Sequence, residues 1–125
     1  MWDNIQRGQY LIGDKEYYFR SLWEANYALY LEFLKKNGEI KDWKYEVKWF
    51  EFPEIKHGAT RYLPDFQVTN NDESVEYHEV KGRLTGRAKT QLKRMAKYYP
   101  EVKLVVVDAE QMKALNKYKK LLKFY

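Results

Sequence analysis

Two short stretches hold side chains whose types and spacing could do chemistry: Tyr62-Leu63-Pro64-Asp65-Phe66 and Tyr77-His78-Glu79-Val80-Lys81-Gly82. Residues two apart on a strand project from the same face, so Glu79 and Lys81 point together while Val80 points into the opposite layer. A neighbouring strand carrying Asp65 brings a second carboxylate within reach of Glu79. Two carboxylates held this way form a hard-oxygen site suited to Mg²⁺ or Mn²⁺. Without a cation they repel and one tends to protonate, whereas a bound metal keeps both ionised. Phosphodiester hydrolysis uses a metal to polarise the phosphate and lower the pKa of bound water. It also uses a cation to orient the nucleophile or offset developing charge. Lys81 is placed to be that cation. Each residue also has an ordinary alternative: Asp65 as a turn or strand-edge acid after Pro64, Glu79 and Lys81 as a solvated pair on an amphipathic strand.

The charge distribution favours a polyanion as partner. The net charge of +5 hides a split, with ten basic and fifteen acidic side chains in residues 1–80 against thirteen basic and three acidic in residues 81–125. Between Val80 and Pro100 there are seven Lys or Arg and no acid, so a basic surface adjoins Glu79 and Lys81. Such a field attracts phosphates. Arg83, Arg87, Lys89, Lys93 and Arg94 are the candidate DNA contacts, Arg83 and Arg87 foremost; a solvated helix face is the plain alternative. With no cysteine, neither a disulfide framework nor a thiolate metal site is possible, and a cytoplasmic setting fits best. No apolar run has the length of a secretory signal or a membrane span, so a soluble protein is expected.

These residues need elements to position them, and one domain suffices for 125 residues. Residues 1–19 lack a clear period and read as an N-terminal arm or a hairpin turning at Gly13-Asp14. Ser21-Leu22-Trp23-Glu24 matches a capping box and opens a helix to about Lys36, with Trp23, Tyr27, Tyr30, Leu31 and Leu34 as its apolar stripe. Glu24 falls on the flank of that stripe. Tyr45, Val47 and Trp49 alternate with charges over Lys44 to Phe52, the period of a half-buried strand. Further strands are expected over Arg61 to Thr69 and Val75 to Lys81, giving three successive antiparallel strands. After Gly82, Ala88, Leu92, Met95, Ala96 and Tyr99 recur at helical spacing up to Pro100. Leu104-Val105-Val106-Val107 reads as a strand buried on both faces, joined by a parallel crossover. Asp108 caps a last helix whose inner side is Met112, Leu115, Tyr118, Leu122 and Tyr125. His78 faces away from Glu79 by strand parity, and His57 lies in a loop; neither reads as a metal ligand. Of the tryptophans that could stack on bases, Trp23 and Trp49 are expected in the core, leaving Trp2.

Pro64-Asp65 followed by Glu79-Val80-Lys81 resembles the signature of the PD-(D/E)xK nuclease superfamily, and the element order resembles its αβββαβ core. Ser-x-x-Glu, Tyr-x-Pro-Asp-Phe and Glu-x-Lys-Gly together are similar to phage Holliday-junction resolvases of the endonuclease I type and to a small phage-associated nuclease branch. The resemblance covers roughly residues 20–108. It implies an α/β fold, specifically an α+β mixed sheet with a restriction-endonuclease-like core and an added C-terminal helix, residues 20–125 forming a single nuclease domain. It implies that Asp65, Glu79 and the Val80 carbonyl bind Mg²⁺ or Mn²⁺. Lys81 positions the attacking water, and Glu24 takes the place of the family's helical acid, as a catalytic residue and further metal ligand that competes with its capping role. The expected function is metal-dependent endonuclease action on duplex, branched or Holliday-junction DNA. A homodimer is expected because two strands are cut, acting in the bacterial host cytoplasm if the protein is phage-encoded. A flap, nicked or linear duplex suits the same residues. A catalytically silent DNA-binding module and an RNA-directed nuclease stay open as alternatives.

Overall fold

The computed structural model describes residues 6–125; Trp2 and the first residues of the expected arm lie outside them. Gly8–Ile12 (β1) and Lys15–Phe19 (β2) form an antiparallel hairpin. Its turn uses Gly13 at φ 65°, where a Cβ would also press on the Glu32 carboxylate. The hairpin is part of the core, since Ile12 and Phe19 are buried with the following helix and the main sheet.

That helix, Leu22–Lys36 (α1), starts where the Ser21 hydroxyl accepts a hydrogen bond from Glu24 N at 3.1 Å. Its packed face is wider than the expected stripe. Tyr27 and Leu31 are buried, but so are Leu22, Ala25 and Ala28, while Trp23, Tyr30 and Leu34 are only partly covered. Small Ala25 and Ala28 let the helix lie close on the sheet, which centres the contact on them rather than on the larger rings.

The main sheet has the order β3 (Asp42–Tyr45), β6 (Phe66–Thr69), β7 (Val75–Val80), β8 (Lys103–Val107). The first two pairings are antiparallel and β7 to β8 is parallel, making a mixed sheet in an α/β fold. The expected strands 44–52 and 61–69 are each broken in two. Glu46 takes a left-handed φ of 49°, and Pro64 offers no N–H to a ladder. Beyond the break, Phe50–Glu51 (β4) and Arg61–Tyr62 (β5) pair with each other in a separate ribbon. Glu46 N donates to Asp65 O at 2.8 Å across the bend. The alternation at Val47 and Trp49 therefore does not mark a buried face: both are exposed, Trp49 to 45 %.

The crossover helix is Gly86–Tyr98 (α2), delayed beyond Gly82 because Thr85 supplies the cap, its hydroxyl accepting from Ala88 N. Ala88 and Met95 are buried on it and Ala96 is exposed. β8 is an edge strand, with Val107 buried and Leu104 to Val106 half-buried, because it has a strand neighbour on one side only. The expected last helix is also interrupted. Ala109–Asn116 (α3) begins with a reciprocal Asp108–Gln111 capping box, and a short turn Lys119–Leu122 (α4) follows. The interruption keeps Met112 and Leu122 inside but turns Tyr118 and Tyr125 outward.

Two apolar layers result. One holds Phe19, Ala28, Leu31, Phe66, Val80 and Met112 between the sheet and α1. The other holds Phe50, Phe52, Tyr62 and Met95 between the sheet's opposite face, the ribbon and α2. Among the described residues, no helix is long and apolar enough to cross a membrane.

Candidate active site

The bend in the ribbon opens a cleft of about 380 Å³ at the end of β6 and β7, and Glu24, Asp65, Glu79 and Lys81 all line it. The three acids singled out in the sequence line it together, and each is buried: Asp65 and Glu79 to 6 % exposure, Glu24 to 8 %. Pro64 ends β5's run and places Asp65 ahead of β6. From there Asp65 Oδ2 accepts from Val80 N at 2.8 Å, and Asp65 N donates to Glu79 Oε1 at 3.3 Å. The Tyr62 hydroxyl donates to the same Glu79 oxygen at 2.7 Å, and Lys81 Nζ lies 3.6 Å from Glu79 Oε2. Glu79 and Lys81 thus share a face, as strand parity requires.

The N–H and C=O of one residue lie on the same edge of an extended strand. Val80 N–H turns towards Asp65, so the Val80 carbonyl lies on that edge too, whereas Lys81 N turns the other way to Val107 O at 3.0 Å. Every buried side-chain N or O atom among the described residues has a partner. Asp65, its Oδ2 held by Val80 N, lines the cleft.

Glu24 completes only half of a capping box. Ser21 caps the Glu24 amide, but the Glu24 carboxylate reaches past Ser21 N and accepts from Arg20 N at 3.1 Å and from the Tyr45 hydroxyl at 2.7 Å. This draws the carboxylate off the helix end and towards the cleft. A fourth acid that the sequence gave no reason to single out, Glu46, lines the same cleft at the left-handed bend, paired with Arg20 at 3.4 Å.

Electrostatically the cluster is strained. Burial first, then the charges of Glu79 and Glu24, hold the Asp65 carboxyl well above the usual carboxylate range; the Val80 amide and Lys81 only partly offset this. Burial likewise raises Glu79 against the opposing pull of Tyr62, Lys81 and the Asp65 amide. Burial raises Glu46, with Arg20 opposing. The Tyr62 and Tyr45 phenols are pushed far up by burial and by their acidic neighbours, so they stay protonated and act as donors. A divalent cation would reverse the sense of these carboxylate shifts. As the side chains stand, no three carboxylates or histidines among the described residues converge as a ready-made cage. The donor types are nevertheless those a hard cation takes: the Glu24, Asp65 and Glu79 carboxylates line one solvent-open cleft, and the Val80 carbonyl lies on the strand edge that faces Asp65.

A model of the family described as "Protein of unknown function (DUF1064)" matches residues 10–119, from within β1 to the start of α4. The chain belongs to that family. The DUF1064 match spans all four cleft acids and Lys81. No curated protein and no solved structure matches the chain.

Of the basic candidates, Arg87 lines the cleft from the first turn of α2. Arg83, Lys89 and Lys93 are exposed and do not line it. Arg94 is engaged elsewhere, its guanidinium donating to Ala59 O, which ties α2 to the loop between β4 and β5. His78 sits on the opposite face, 2.6 Å from the Tyr27 hydroxyl and 2.9 Å from Glu76, and burial lowers its pKa. His57 is exposed in its loop and does not line the cleft. Tyr62 and Tyr45 were readable only as strand aromatics, because nothing in their spacing marks them as carboxylate donors.

Proposed function

We propose that this DUF1064 protein is a metal-dependent DNA endonuclease of the PD-(D/E)xK type. The observation that carries the reading is the packing of Glu24, Asp65 and Glu79 into one cleft, buried and mutually repelling, with Lys81 beside them. A fold selected for stability alone has little reason to collect buried like charges at a solvent-open cleft, and perturbed groups in clefts mark functional sites. Asp65, Glu79 and the Val80 carbonyl would hold Mg²⁺ or Mn²⁺, with Glu24 as a further ligand. When bound, the metal supplies charge for the phosphate and a lowered pKa for water. Lys81 holds the attacking water and offsets the charge that develops as a new P–O bond forms and an ester P–O bond breaks, leaving a phosphomonoester and an alcohol. Tyr62 fixes the Glu79 carboxylate, and Arg87 meets phosphate beside the site. Branched DNA as substrate and a homodimer as the active form rest on the motif's similarity to junction resolvases.

The test incubates purified protein with four-way junction, flap and linear duplex DNA in Mg²⁺, Mn²⁺ or EDTA, beside Asp65→Asn and Lys81→Ala. Metal-dependent cleavage that both variants lose is the expected result. Cleavage of no DNA in either metal, or an Asp65→Asn variant that cuts like the parent, overturns the reading. DNA binding without cutting would instead mark a silent binding module, and cutting confined to RNA an RNA-directed enzyme.

A further inference from the structure

Trp49, expected in the core, stands instead at the cleft. The indole is 45 % exposed, on a wall of the cleft that holds Asp65 and Glu79, and the Arg61 guanidinium lies 3.8 Å over its ring. One ring face is thus met by a cation, while the residue as a whole stays exposed at the cleft. An exposed indole at a polar cleft offers a flat apolar surface on which a planar partner can stack.

The platform is also held stiffly. It flanks the ribbon whose Phe50, Phe52 and Tyr62 are buried, and Gln91 Nε2 of α2 donates to Arg61 O at 3.1 Å. Tyr62, next to Arg61, is the residue whose hydroxyl grips Glu79. The spacing between platform and acidic cluster is therefore fixed by one short piece of backbone.

We propose that Trp49, backed by Arg61, stacks on an unpaired nucleobase of DNA, so that the cleft takes DNA with a splayed or single-stranded nucleotide beside the phosphate it engages. In an intact duplex the base faces are covered by their neighbours and only the edges show, so a flat indole finds no partner there. A base freed at a flap, nick or branch offers its whole face, and stacking on an aromatic ring accepts any base. Arg61 adds a charge that reaches phosphate while its plane stays on the indole. This inference rests on the nuclease reading for the identity of the cleft, but it makes its own claim about what enters it.

The experiment measures fluorescence anisotropy of a labelled linear duplex and of the same duplex carrying a single-stranded flap, in Ca²⁺, with wild type, Trp49→Ala and Trp49→Phe. Wild type binds the flap more tightly than the duplex. Trp49→Ala shrinks that preference by roughly 5- to 150-fold, the range for losing one stacked base, and Trp49→Phe keeps most of it. Equal weakening on both DNAs in Trp49→Ala, no preference in wild type, or tighter Trp49-dependent binding of RNA of the same sequence overturns the proposal. Binding isolates it from the chemistry. If nothing is cut in Mg²⁺ or Mn²⁺ but the Trp49-dependent preference is present, the nuclease reading fails and the platform stands. If DNA is cut and the preference is indifferent to Trp49, the reverse holds.

Discussion

Tyr62→Phe removes one oxygen from the site and leaves every carbon of the packed ring in place. That oxygen makes the shortest contact to Glu79, 2.7 Å, against 3.3 Å from Asp65 N and 3.6 Å from Lys81 Nζ. A hydrogen bond to a charged group contributes about 1.5–3 kcal/mol, and the greater length of the other two contacts puts the loss in the upper half, about 2–3 kcal/mol. No cavity forms, so no packing loss is added. The dependence on pH has a definite sign. The Glu79 pKa is already raised above 4.5, so the metal-free protein loses stability as pH rises from 4.5 through that raised value. The Tyr62 hydroxyl favours the ionised form, so removing it lifts the Glu79 pKa further and extends the fall to higher pH. The variant should match wild type in acid, where Glu79 is protonated in both, and reach its full deficit at mildly alkaline pH. Urea unfolding in EDTA at both pH values measures this, and under the proposed role of Glu79 as a metal ligand cleavage should drop roughly 10- to 100-fold. A deficit that is equal at both pH values, or absent at alkaline pH with cleavage intact, refutes the idea that the phenol holds a charged Glu79.

Asp65→Asn should abolish cleavage yet stabilise the metal-free fold by about 1–2 kcal/mol, because it removes a buried charge opposed by Glu79 and Glu24 while keeping an acceptor for Val80 N; thermal unfolding in EDTA reads the sign. Lys81→Ala should lower cleavage by roughly 10²–10³-fold and DNA affinity far less, separated by single-turnover cleavage and anisotropy. Arg87→Ala should weaken all DNAs alike and reduce the slope of log affinity against log salt by about 1. Arg94→Ala should leave that slope unchanged and cost about 1.5–3 kcal/mol of stability, since its guanidinium serves the Ala59 carbonyl.

The parts of the fold legible in sequence are those set by local periodicity. The α1 cap at Ser21, the crossover helix and the cap at Asp108 follow from neighbours three or four residues apart. The meeting of Asp65 with Glu79 was legible for the same kind of reason, because parity and strand adjacency are nearly geometric necessities. The break in the ribbon was not. A left-handed Glu46 is atypical of its residue type, and charged residues flanking Val47 and Trp49 imitate a strand alternation that the backbone does not follow. The division of labour among arginines was equally hidden, since Arg87 and Arg94 lie on one helix and differ only in what the tertiary fold sets against them.

The bend at Glu46 and Pro64 separates two jobs along one pair of strands. Below it, β3 and β6 are locked into the four-stranded sheet and hold the acid. Above it, β4 and β5 pair only with each other, joined by residues 52–60. Tyr62 of β5 still reaches down to Glu79 and Ala59 is held by Arg94, so the part free to change without disturbing the acidic cluster is the mostly exposed stretch 53–58 at the ribbon tip. Within the DUF1064 family, then, diversification should be cheapest at the ribbon tip, where length and sequence can vary without moving the buried acids beneath it.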